Sequence, residues 1–325
     1  MSSEPRSLTT PTLPARAVER FIAMFGEEGY AEIAESLTPP GRGPCTFRLN
    51  ALRGDPSATL AEIEDAGMTA QPIHWCPLGY RVTSGTIRSL QALRSYESGA
   101  LYIQAASSMV AAHALEAEPG DAVLDMCAAP GSKTSQLAAA MKNSGVLVAN
   151  DRSRKRLYKL REILQKQGAT CVEVLCGDGE RLGKSHADCF DRVLVDAPCS
   201  GEGRFRLDRP MRIARWSERE IRTLARQQER LLIAALRCVK PGGLVVYSTC
   251  TFAPEENERV LDRVLCRDSI DASIEPLPDA IRPPSARDPL QAWESVSFQH
   301  DLRGAIRIMP DDTTGGFFIA RIRRR

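Results

Sequence analysis

The sequence lacks any long run of apolar residues. No uncharged apolar stretch approaches the roughly 18 residues that a membrane-spanning helix needs. Residues 1–11 contain no charged segment followed by an apolar stretch, so a secretory leader is not indicated. These absences argue against a membrane protein, and we expect a cytoplasmic one.

The sequence also lacks the cysteine and histidine spacing of a metal site. Its ten cysteines include no Cys-x-x-Cys pair, and none of its four histidines stands at zinc-finger spacing. Disulfide frameworks are typical of small secreted domains, whereas this chain of 325 residues can bury a full core. We therefore expect no metal and no disulfide framework, and we interpret most of the cysteines as small buried apolar residues.

A loop that could cradle phosphates is missing as well. Dinucleotide-binding folds place Gly-x-Gly-x-x-Gly after the first strand, where backbone amides hold the pyrophosphate. Here the apolar run 122–125 is followed by Cys127-Ala128-Ala129-Pro130-Gly131-Ser132-Lys133-Thr134, which has a single glycine. The last four of these residues are similar to the end of a P-loop, but its upstream glycine is absent. Dinucleotide chemistry and nucleotide hydrolysis are disfavoured, although the small residues would let a ligand lie close to the backbone.

The hydrophobic pattern divides the chain into three parts. Residues 1–40 show helical spacing and form a predicted lead-in, and residues 41–95 show the β-α-β-β pattern of a small α+β domain. Residues 96–325 alternate strands and helices. The composition, with 43% apolar and 26% charged residues, is that of an ordinary globular protein.

The third part predicts a doubly wound sheet. Strands are predicted at 122–125, 145–151, 171–175, 190–195, 244–248, 305–310 and 316–322, and helices at 104–115, 133–141, 152–167 and 217–238. Residues 268–300 are interpreted as a loop or insertion. Alternating strands and helices that end in a hairpin indicate a parallel sheet with an antiparallel edge. The predicted fold class is therefore α/β, a class I Rossmann-like methyltransferase sheet with a C-terminal antiparallel hairpin, preceded by the small α+β domain.

Positive charge is concentrated in two segments, although the net charge is only +2. Nine arginines lie between Arg204 and Arg230, and six basic residues occupy the ten positions 152–161. One such run alone is typical of a solvated helix face. Two of them, on either side of the candidate site, favour a polyanionic substrate.

An acidic residue follows each of three successive strands, at Asp151, Asp178 and Asp196. A carboxylate about 20 residues beyond the first turn of such a sheet is the usual partner of a ribose hydroxyl pair. Carboxylates without a pyrophosphate cradle suit a nucleoside cofactor that has no phosphates. The sequence therefore predicts S-adenosylmethionine as the cofactor.

Two thiols are predicted at the ends of neighbouring strands. Cys199 follows Asp196 in Asp-Ala-Pro-Cys-Ser-Gly-Glu-Gly, and Cys250 follows the strand 244–248. A thiol beside an acid suits methylation of carbon 5 of a pyrimidine, because that carbon becomes nucleophilic only after a thiolate adds to carbon 6. Taken alone, a cysteine in such a loop is more often structural, and the pattern leaves open which of the two thiols attacks.

Three motifs together resemble the RNA cytosine-5 methyltransferases of the Sun/Fmu and NOL/NOP/Sun group. They are the turn 127–134, the segment 196–203, and Ser248-Thr249-Cys250-Thr251 with Pro254-Glu255-Glu256-Asn257-Glu258. The resemblance covers about residue 40 to the C-terminus. Ser132 stands where many members have glycine, a departure that should not disturb the loop.

The resemblance implies roles for particular residues. It implies that Cys250 is the nucleophile, that Cys199 assists release of the product, and that Asp196, with Lys133 close by, contacts N3 of the cytosine. The implied cofactor-binding set is Cys127, Ala128, Ala129, Pro130, Gly131, Ser132, Lys133, Asp151, Arg156, Asp178 and Asp196. Residues 45–82 resemble the small RNA-binding domain of the group, and the implied partner is a tRNA or an rRNA.

The basic segment after Cys199 is suited to binding RNA. Arg204, Arg206 and Arg209 follow the site directly and are placed to contact phosphates. A target base must leave its stack to reach a thiol in a pocket, and Trp216 or Phe205 could stack on it, although both are more typical of a core.

Three other functions remain open from the residues. A DNA cytosine-5 methyltransferase would use Cys199 as its nucleophile, and an amino-group methyltransferase would carry an aromatic residue there. The third is a non-catalytic RNA-binding or assembly factor. The second cysteine and the absence of a long target-recognition region argue against the first, and the cysteine at position 199 argues against the second. Retention of both thiols, Asp196 and Lys133 argues against the third. The oligomeric state is not predicted.

Overall fold

The computed structural model describes residues 12–37 and 45–325. The α-helices are α1 (Ala15–Leu37), α2 (Pro56–Asp65), α3 (Ile87–Gln91), α4 (Arg94–Ser98), α5 (Ala106–His113), α6 (Ser132–Ala140), α7 (Arg154–Gln167), α8 (Gly179–Ser185), α9 (Met211–Arg215), α10 (Glu218–Cys238) and α11 (Glu258–Leu265). The strands are β1 (Thr46–Leu49), β2 (Thr69–Pro72), β3 (Gly79–Ser84), β4 (Leu101–Ile103), β5 (Ala122–Asp125), β6 (Val146–Asn150), β7 (Val172–Leu175), β8 (Phe190–Asp196), β9 (Val239–Thr249), β10 (Ala272–Glu275), β11 (Ala286–Arg287), β12 (Ala292–Trp293), β13 (Val296–Ser297), β14 (Ile306–Ile308) and β15 (Phe317–Arg324). Two short 3₁₀ helices span Glu202–Arg204 and Asp279–Ile281.

The predicted α/β fold class is confirmed by a nine-stranded sheet in the order β11-β14-β15-β9-β8-β5-β6-β7, with β10 also paired to β15. Strands β5 to β9 are parallel to one another, whereas β15 runs antiparallel to β9. Strands β5 and β8 are parallel neighbours at the centre of the sheet, so their carboxyl ends meet at one edge. The predicted C-terminal hairpin is present as β14 and β15.

A second sheet of four antiparallel strands, in the order β2-β3-β1-β4, precedes the large one. Its strand β4, Leu101–Ile103, lies beyond the boundary expected at residue 95 and pairs with β1. The buried Arg48 on β1 donates hydrogen bonds to Gln104 Oε1 at 3.0 Å and to Ser135 Oγ on α6 at 2.8 Å. Polar contacts therefore join the small sheet to the helix that follows the 127–131 turn.

The predicted N-terminal helix is present as α1, which bends at Gly26, where φ is 72°. The sequence pattern predicts one helix before Gly26 and a second from about Tyr30 to Leu37 that ends before Pro39 and Pro40, and these two prolines lie outside the described residues. The Phe21 ring meets the Phe252 ring edge-on, with centroids 5.7 Å apart. On the same face, the Arg20 guanidinium pairs with the Glu255 carboxylate at 2.7 Å, and both side chains are buried. Helix α1 thus packs against the loop that follows β9.

Two local expectations were wrong. Residues 268–300 were expected to form a loop, but Ala272–Glu275 adds an edge strand to β15. Residues Pro241-Gly242-Gly243 were expected to form a turn before the predicted strand 244–248, but they lie inside β9, where the pairing with β8 is irregular. The partner of Phe190 is Val239, whereas the partner of Arg192 is already Leu244. Gly242 allows this because its φ is 77°.

The expectation that most cysteines are buried was also wrong. Cys76 and Cys238 are buried, whereas Cys176, Cys189 and Cys266 are exposed. The exposed thiols lie at strand and helix ends, where a small polar side chain can face solvent. In the described part of the chain, no helix combines the length and the apolar character that crossing a membrane requires.

Candidate active site

The site is built where β8 and β9 end side by side. Asp196, the last residue of β8, is in register with Ser248 near the end of β9. The chain then continues from each strand into a loop that carries one cysteine. Because the two strands are parallel neighbours, Cys199 and Cys250 are brought to the same edge of the sheet.

The two thiols are in direct contact. The Sγ atoms of Cys199 and Cys250 lie 3.3 Å apart, and the Cys250 amide donates to Cys199 Sγ, also at 3.3 Å. The hydrogen bond from Cys199, helped by the charges of Arg204 and Arg212, lowers the pKa of Cys250. The same hydrogen bond and burial raise the pKa of Cys199. The arrangement therefore favours a thiolate at Cys250 and a thiol at Cys199.

The loop that carries Cys199 is held by a buried carboxyl group. Glu256 accepts hydrogen bonds from the Ser200 amide at 3.0 Å and from Gln228 Nε2 at 2.7 Å. Gln228, which lies on α10, also donates to the Pro198 carbonyl at 2.8 Å. Burial raises the pKa of Glu256 to about 8. A neutral carboxyl group therefore clamps both sides of the Cys199 turn at neutral pH.

The loop that carries Cys250 is held by a second carboxyl group, that of Glu202. Its Oε2 accepts from Thr251 Oγ1 at 3.0 Å and from the Phe252 amide at 3.1 Å, while its Oε1 accepts from Trp216 Nε1 at 2.8 Å. Trp216 thus contributes a hydrogen bond to the support of the loop. Phe205, the other residue considered for base stacking, is buried in the core at 3% exposure. Both aromatics therefore serve the framework around the site.

Lys133 reaches across from α6 to the end of β8. Its Nζ donates to Asp196 Oδ2 at 2.8 Å and to Ser108 Oγ at 2.7 Å. The other Asp196 oxygen accepts from Ser248 Oγ at 3.0 Å. Since the Lys133 side chain is buried, its ammonium group is held in one place beside the Asp196 carboxylate. Lys133 therefore lies next to Asp196, as the family resemblance implied.

The turn 127–131 forms the floor on the other side of Asp196. Gly131 has a φ of 114°, and a Cβ there would approach Leu160 Cδ1 to 2.8 Å. The positive φ therefore favours glycine in this close passage over α7. Next to the turn, Asn150 donates to the Met126 carbonyl at 3.0 Å, while its buried Oδ1 has no hydrogen-bond partner among the described residues. A ligand that donates a hydrogen bond would satisfy this oxygen.

The predicted cofactor-binding acids Asp151 and Asp178 both lie just before helices, Asp151 two residues ahead of the Ser153 N-cap of α7 and Asp178 at the N-cap of α8. Asp151 accepts from the Ser153 amide at 2.9 Å and pairs with Arg156 Nη1 at 3.1 Å. Arg156 also donates to the Ala129 carbonyl, which ties the turn to α7. Asp178 caps α8 by accepting from the Glu180 amide at 3.1 Å. Each acid thus has a structural use, and each also lines the cavity described next.

These residues surround one cavity of about 770 Å³. At one end, its lining consists of Cys127, Ala129, Pro130, Ser132, Asn150, Asp151, Arg152, Arg156 and Asp178; Lys133 and Asp196 lie between the ends; at the other end are Cys199, Gly203, Arg204, Arg212, Cys250, Gly315, Gly316 and Phe317. Of the three arginines expected to meet phosphates, only Arg204 is part of this lining. Arg206 pairs instead with Asp208 at 2.7 Å, and Arg209 is exposed elsewhere.

Several residues of the site were missed by the sequence reasoning. Ser108 and Gln228 gave no signal, because each lies inside a predicted helix where nothing in the sequence distinguishes it. Gly315 was interpreted only as part of a turn and Gly316 only as the start of the predicted strand 316–322, yet a Cβ on Gly203 would collide with the Gly316 backbone. That backbone contact closes the cavity beside Cys250. The glycines at 201 and 203 and at 315 and 316 were the signal in the sequence that two backbone segments approach each other here.

No metal site accompanies these groups. Across residues 12–37 and 45–325, no group of three or more His, Cys, Asp or Glu side chains is arranged to hold a metal ion.

Comparison with known proteins gives a consistent picture. Residues 112–323 match the family model described as 16S rRNA methyltransferase RsmB/F. The chain is 36% identical to the tRNA (cytosine(49)-C(5))-methyltransferase of Pyrococcus abyssi, over 95% of this chain and 96% of that protein. It is also 36% identical to the ribosomal RNA small subunit methyltransferase F of Serratia proteamaculans, over 86% of this chain but only 56% of the relative, so it spans about half the length of that protein.

A solved structure agrees with these relatives. The crystal structure of a methyltransferase homolog protein from Pyrococcus horikoshii superposes with a TM-score of 0.80 at 34% identity. The match covers 94% of this chain and 94% of the other. The likeness therefore extends over the small sheet as well as the large one.

Proposed function

This chain belongs to the RsmB/F family and is an S-adenosylmethionine-dependent RNA cytosine-5 methyltransferase; we propose that it acts through a covalent bond between Cys250 Sγ and carbon 6 of the cytosine. The observation that carries the proposal is the contact between the two thiols at 3.3 Å, with the pKa of Cys250 lowered and that of Cys199 raised. A nucleophile needs the thiolate form, and Cys250 is the sulfur that is stabilised in that form.

The residues around the 127–131 turn fit the cofactor. The buried Asn150 Oδ1 lacks a partner among the described residues, and the carboxylates of Asp151 and Asp178 line the same end of the cavity. These acceptors suit a nucleoside with free hydroxyl groups. The cavity volume of about 770 Å³ lies within the usual range of small-molecule sites. When bound there, S-adenosylmethionine supplies an electrophilic methyl group.

The chain's own residues supply the rest of the chemistry. The Cys250 thiolate adds to carbon 6 of the cytosine, which places negative charge on the ring. Asp196 lies between the cofactor end and the thiols, and it passes a proton from Lys133 to N3 as that charge develops. Carbon 5 then becomes nucleophilic and accepts the methyl group.

Release reverses the first step. The proton on carbon 5 is lost to solvent, the bond between Cys250 Sγ and carbon 6 breaks, and N3 returns its proton to the Asp196–Lys133 pair. The Cys199 thiol stabilises the departing Cys250 thiolate through the hydrogen bond at 3.3 Å. Cys199 is therefore the residue that frees the product.

Two substitutions test this assignment in a methylation assay with unfractionated tRNA and rRNA. Cys250→Ala is expected to abolish methyl transfer and to form no covalent adduct. Cys199→Ala is expected to accumulate a protein–RNA adduct that survives denaturation. The exposed Cys266 lies outside the cavity lining, so Cys266→Ala is the matched control and should behave as the wild type. An adduct in Cys250→Ala, and none in Cys199→Ala, would assign the attack to Cys199.

The substrate is proposed to be a tRNA or an rRNA. The Pyrococcus abyssi relative, which matches along 96% of its own length, makes tRNA the first to test. Bisulfite sequencing of both RNA classes from a strain that lacks the gene should reveal a cytosine that has lost its methyl group. Identical methylation patterns in the deletion and parent strains would contradict the substrate proposal.

A further inference from the structure

We propose that Arg204 and Arg212 form a clamp for a backbone phosphate next to the target cytidine. The clamp rests on the proposed function, because it assumes that the cytosine enters the cavity at the Cys250 end. It assigns the RNA contact to a particular pair of side chains within an arginine-rich segment.

Within the described residues, six arginines between Arg204 and Arg230 have no carboxylate partner, and Arg204 and Arg212 are the two of these six that line the cavity. Within residues 12–37 and 45–325, no Asp or Glu oxygen lies within 4.0 Å of either guanidinium group. By contrast, Arg206 is paired with Asp208 at 2.7 Å, and Arg230 with Glu180 at 2.5 Å. A guanidinium group without an internal partner can form paired hydrogen bonds to a phosphate.

One turn of the backbone, at Gly201, positions both side chains. Arg204 ends the 3₁₀ helix that begins at the buried Glu202, and its amide donates to the Gly201 carbonyl at 3.0 Å. The Arg212 guanidinium lies directly over Gly201, so that any Cβ on that glycine would collide with Nη1. Gly201 has a φ of 75°, which further favours glycine there. The backbone of one tight turn therefore carries Arg204 and seats Arg212.

The location of the pair matches the path of a polynucleotide. Both arginines line the Cys250 end of the cavity, and both are exposed to solvent. The charges of both act on Cys250, where they lower the pKa of its thiol. A base that reaches Cys250 leaves its sugar and phosphates at the mouth of the cavity, where the two guanidinium groups stand.

The other cations of the cavity are engaged differently. Lys133 is bound to Asp196 at 2.8 Å, and Arg156 is bound to Asp151 at 3.1 Å. Arg152 is next to Asp151 in the chain and lines the cofactor end. Arg204 and Arg212 are thus the cations available at the end where the RNA backbone would pass.

Binding of a fluorescein-labelled oligocytidine RNA and of unfractionated tRNA, measured over a range of salt concentrations, tests the clamp. Arg204→Gln and Arg212→Gln should each weaken binding, and the double variant should weaken it about tenfold. The slope of log K against log salt concentration should become shallower by about 0.7, because one phosphate is no longer neutralised. Arg204→Lys and Arg212→Lys should retain part of the affinity, because lysine still offers a point charge.

Arg219→Gln is the matched control, because Arg219 belongs to the same basic segment and is exposed but lies outside the cavity lining. It should keep the wild-type slope and affinity. The clamp is overturned if the double variant does the same, if Arg219→Gln is equally weakened, or if the wild type binds neither RNA.

If Arg204 and Arg212 act only by lowering the pKa of Cys250, the experiment gives a different result, and that result also overturns the clamp. In that case the double variant would bind RNA as the wild type does, its kcat would fall at neutral pH, and higher pH would restore it. Failure of the proposed function is distinct again. The wild type would then bind RNA with the arginine dependence described, yet form no adduct and transfer no methyl group.

Discussion

The sulfur of Cys199 accepts the amide hydrogen of Cys250 at 3.3 Å and lies 3.3 Å from the Cys250 sulfur. With its lone pair directed at the amide, Cys199 has its own S–H available for Cys250. One sulfur therefore acts as acceptor towards the backbone and as donor towards the other thiol. This makes the two cysteines unequal although each follows the end of a parallel strand.

The different roles of the two thiols predict that the pH dependence of adduct formation shifts in Cys199→Ala. Adduct formation needs the Cys250 thiolate and is therefore lost as the pH falls through the pKa of Cys250. Without the hydrogen bond from Cys199, that pKa should rise, and the acidic limb should move up by about one to two pH units, since a hydrogen bond to a charged group contributes about 1.5–3 kcal/mol. Single-turnover adduct formation at several pH values measures the limb.

Cys199→Ser is the informative control, because a hydroxyl group can still donate to Cys250. Its acidic limb should lie between those of the wild type and of Cys199→Ala. An unshifted limb in Cys199→Ala would mean that the hydrogen bond is not what lowers the pKa.

Lys133 offers a second prediction. Replacing it by methionine keeps most of the buried stem but removes the proton donor 2.8 Å from Asp196. General acid catalysis typically contributes about 10²–10⁴-fold, so the single-turnover rate of methyl transfer to RNA should fall by about that factor. Ser108→Ala removes only the second acceptor of Lys133 and should cost less than about tenfold. Equal losses in the two variants would show that the position of Lys133, and not its proton, is what matters.

The strand ends of this site could be predicted because buried parallel strands appear as continuous apolar runs. Val193, Leu194 and Val195 precede Asp196, and all three are fully buried. The place where such a run meets an acid and a cysteine marks the carboxyl end of a strand. The order of β8 and β9 in the sheet then follows from the usual right-handed crossovers.

The supports of the site could not be predicted in the same way. The sequence 255–258 contains three glutamates in four positions, and nothing local says which element each one meets. In the fold, Glu255 reaches Arg20 on α1, Glu256 reaches the Cys199 turn, and Glu258 reaches Arg307 on β14. These partners are up to 235 residues apart in sequence, so only the packed fold determines the pairing.

The buried carboxyl groups predict how stability depends on pH. Burial raises the pKa of Asp125 to about 7, although Thr134 donates to it at 2.7 Å. Unfolded aspartate titrates near 3.9, so between about pH 4 and pH 7 the folded chain holds a proton that the unfolded chain has released. The free energy of unfolding should therefore fall as pH rises through this window, by up to about 4 kcal/mol from this group alone.

Urea denaturation at pH 5 and pH 8 measures the effect. Asp125→Asn cannot titrate and should show a smaller loss of stability between the two pH values. Part of the loss should remain, because Glu256 has a raised pKa of about 8 and acts with the same sign. Glu256→Gln should remove that part. A wild type whose stability increases from pH 5 to pH 8 would contradict the raised pKa values.

The ion pair between Arg307 and Glu258 gives the last prediction. The Arg307 Nε donates to Glu258 Oε1 at 2.6 Å, and its Nη1 donates to the Phe252 carbonyl at 2.8 Å. Both side chains of the pair are buried, with exposures of 2% and 0%. Arg307→Met should destabilise the fold by about 3–5 kcal/mol, because it leaves the Glu258 carboxylate unpaired in the core.

The double variant Arg307→Met with Glu258→Gln separates the two contributions. With the uncompensated charge removed, most of the free energy of unfolding should return, since a buried ion pair itself adds little net stability. The Phe252 carbonyl, two residues after Cys250, would still lack its donor. The double variant should therefore unfold in urea nearly as the wild type does but form the RNA adduct more slowly; equal adduct rates would show that Arg307 stabilises the core without positioning the Cys250 loop.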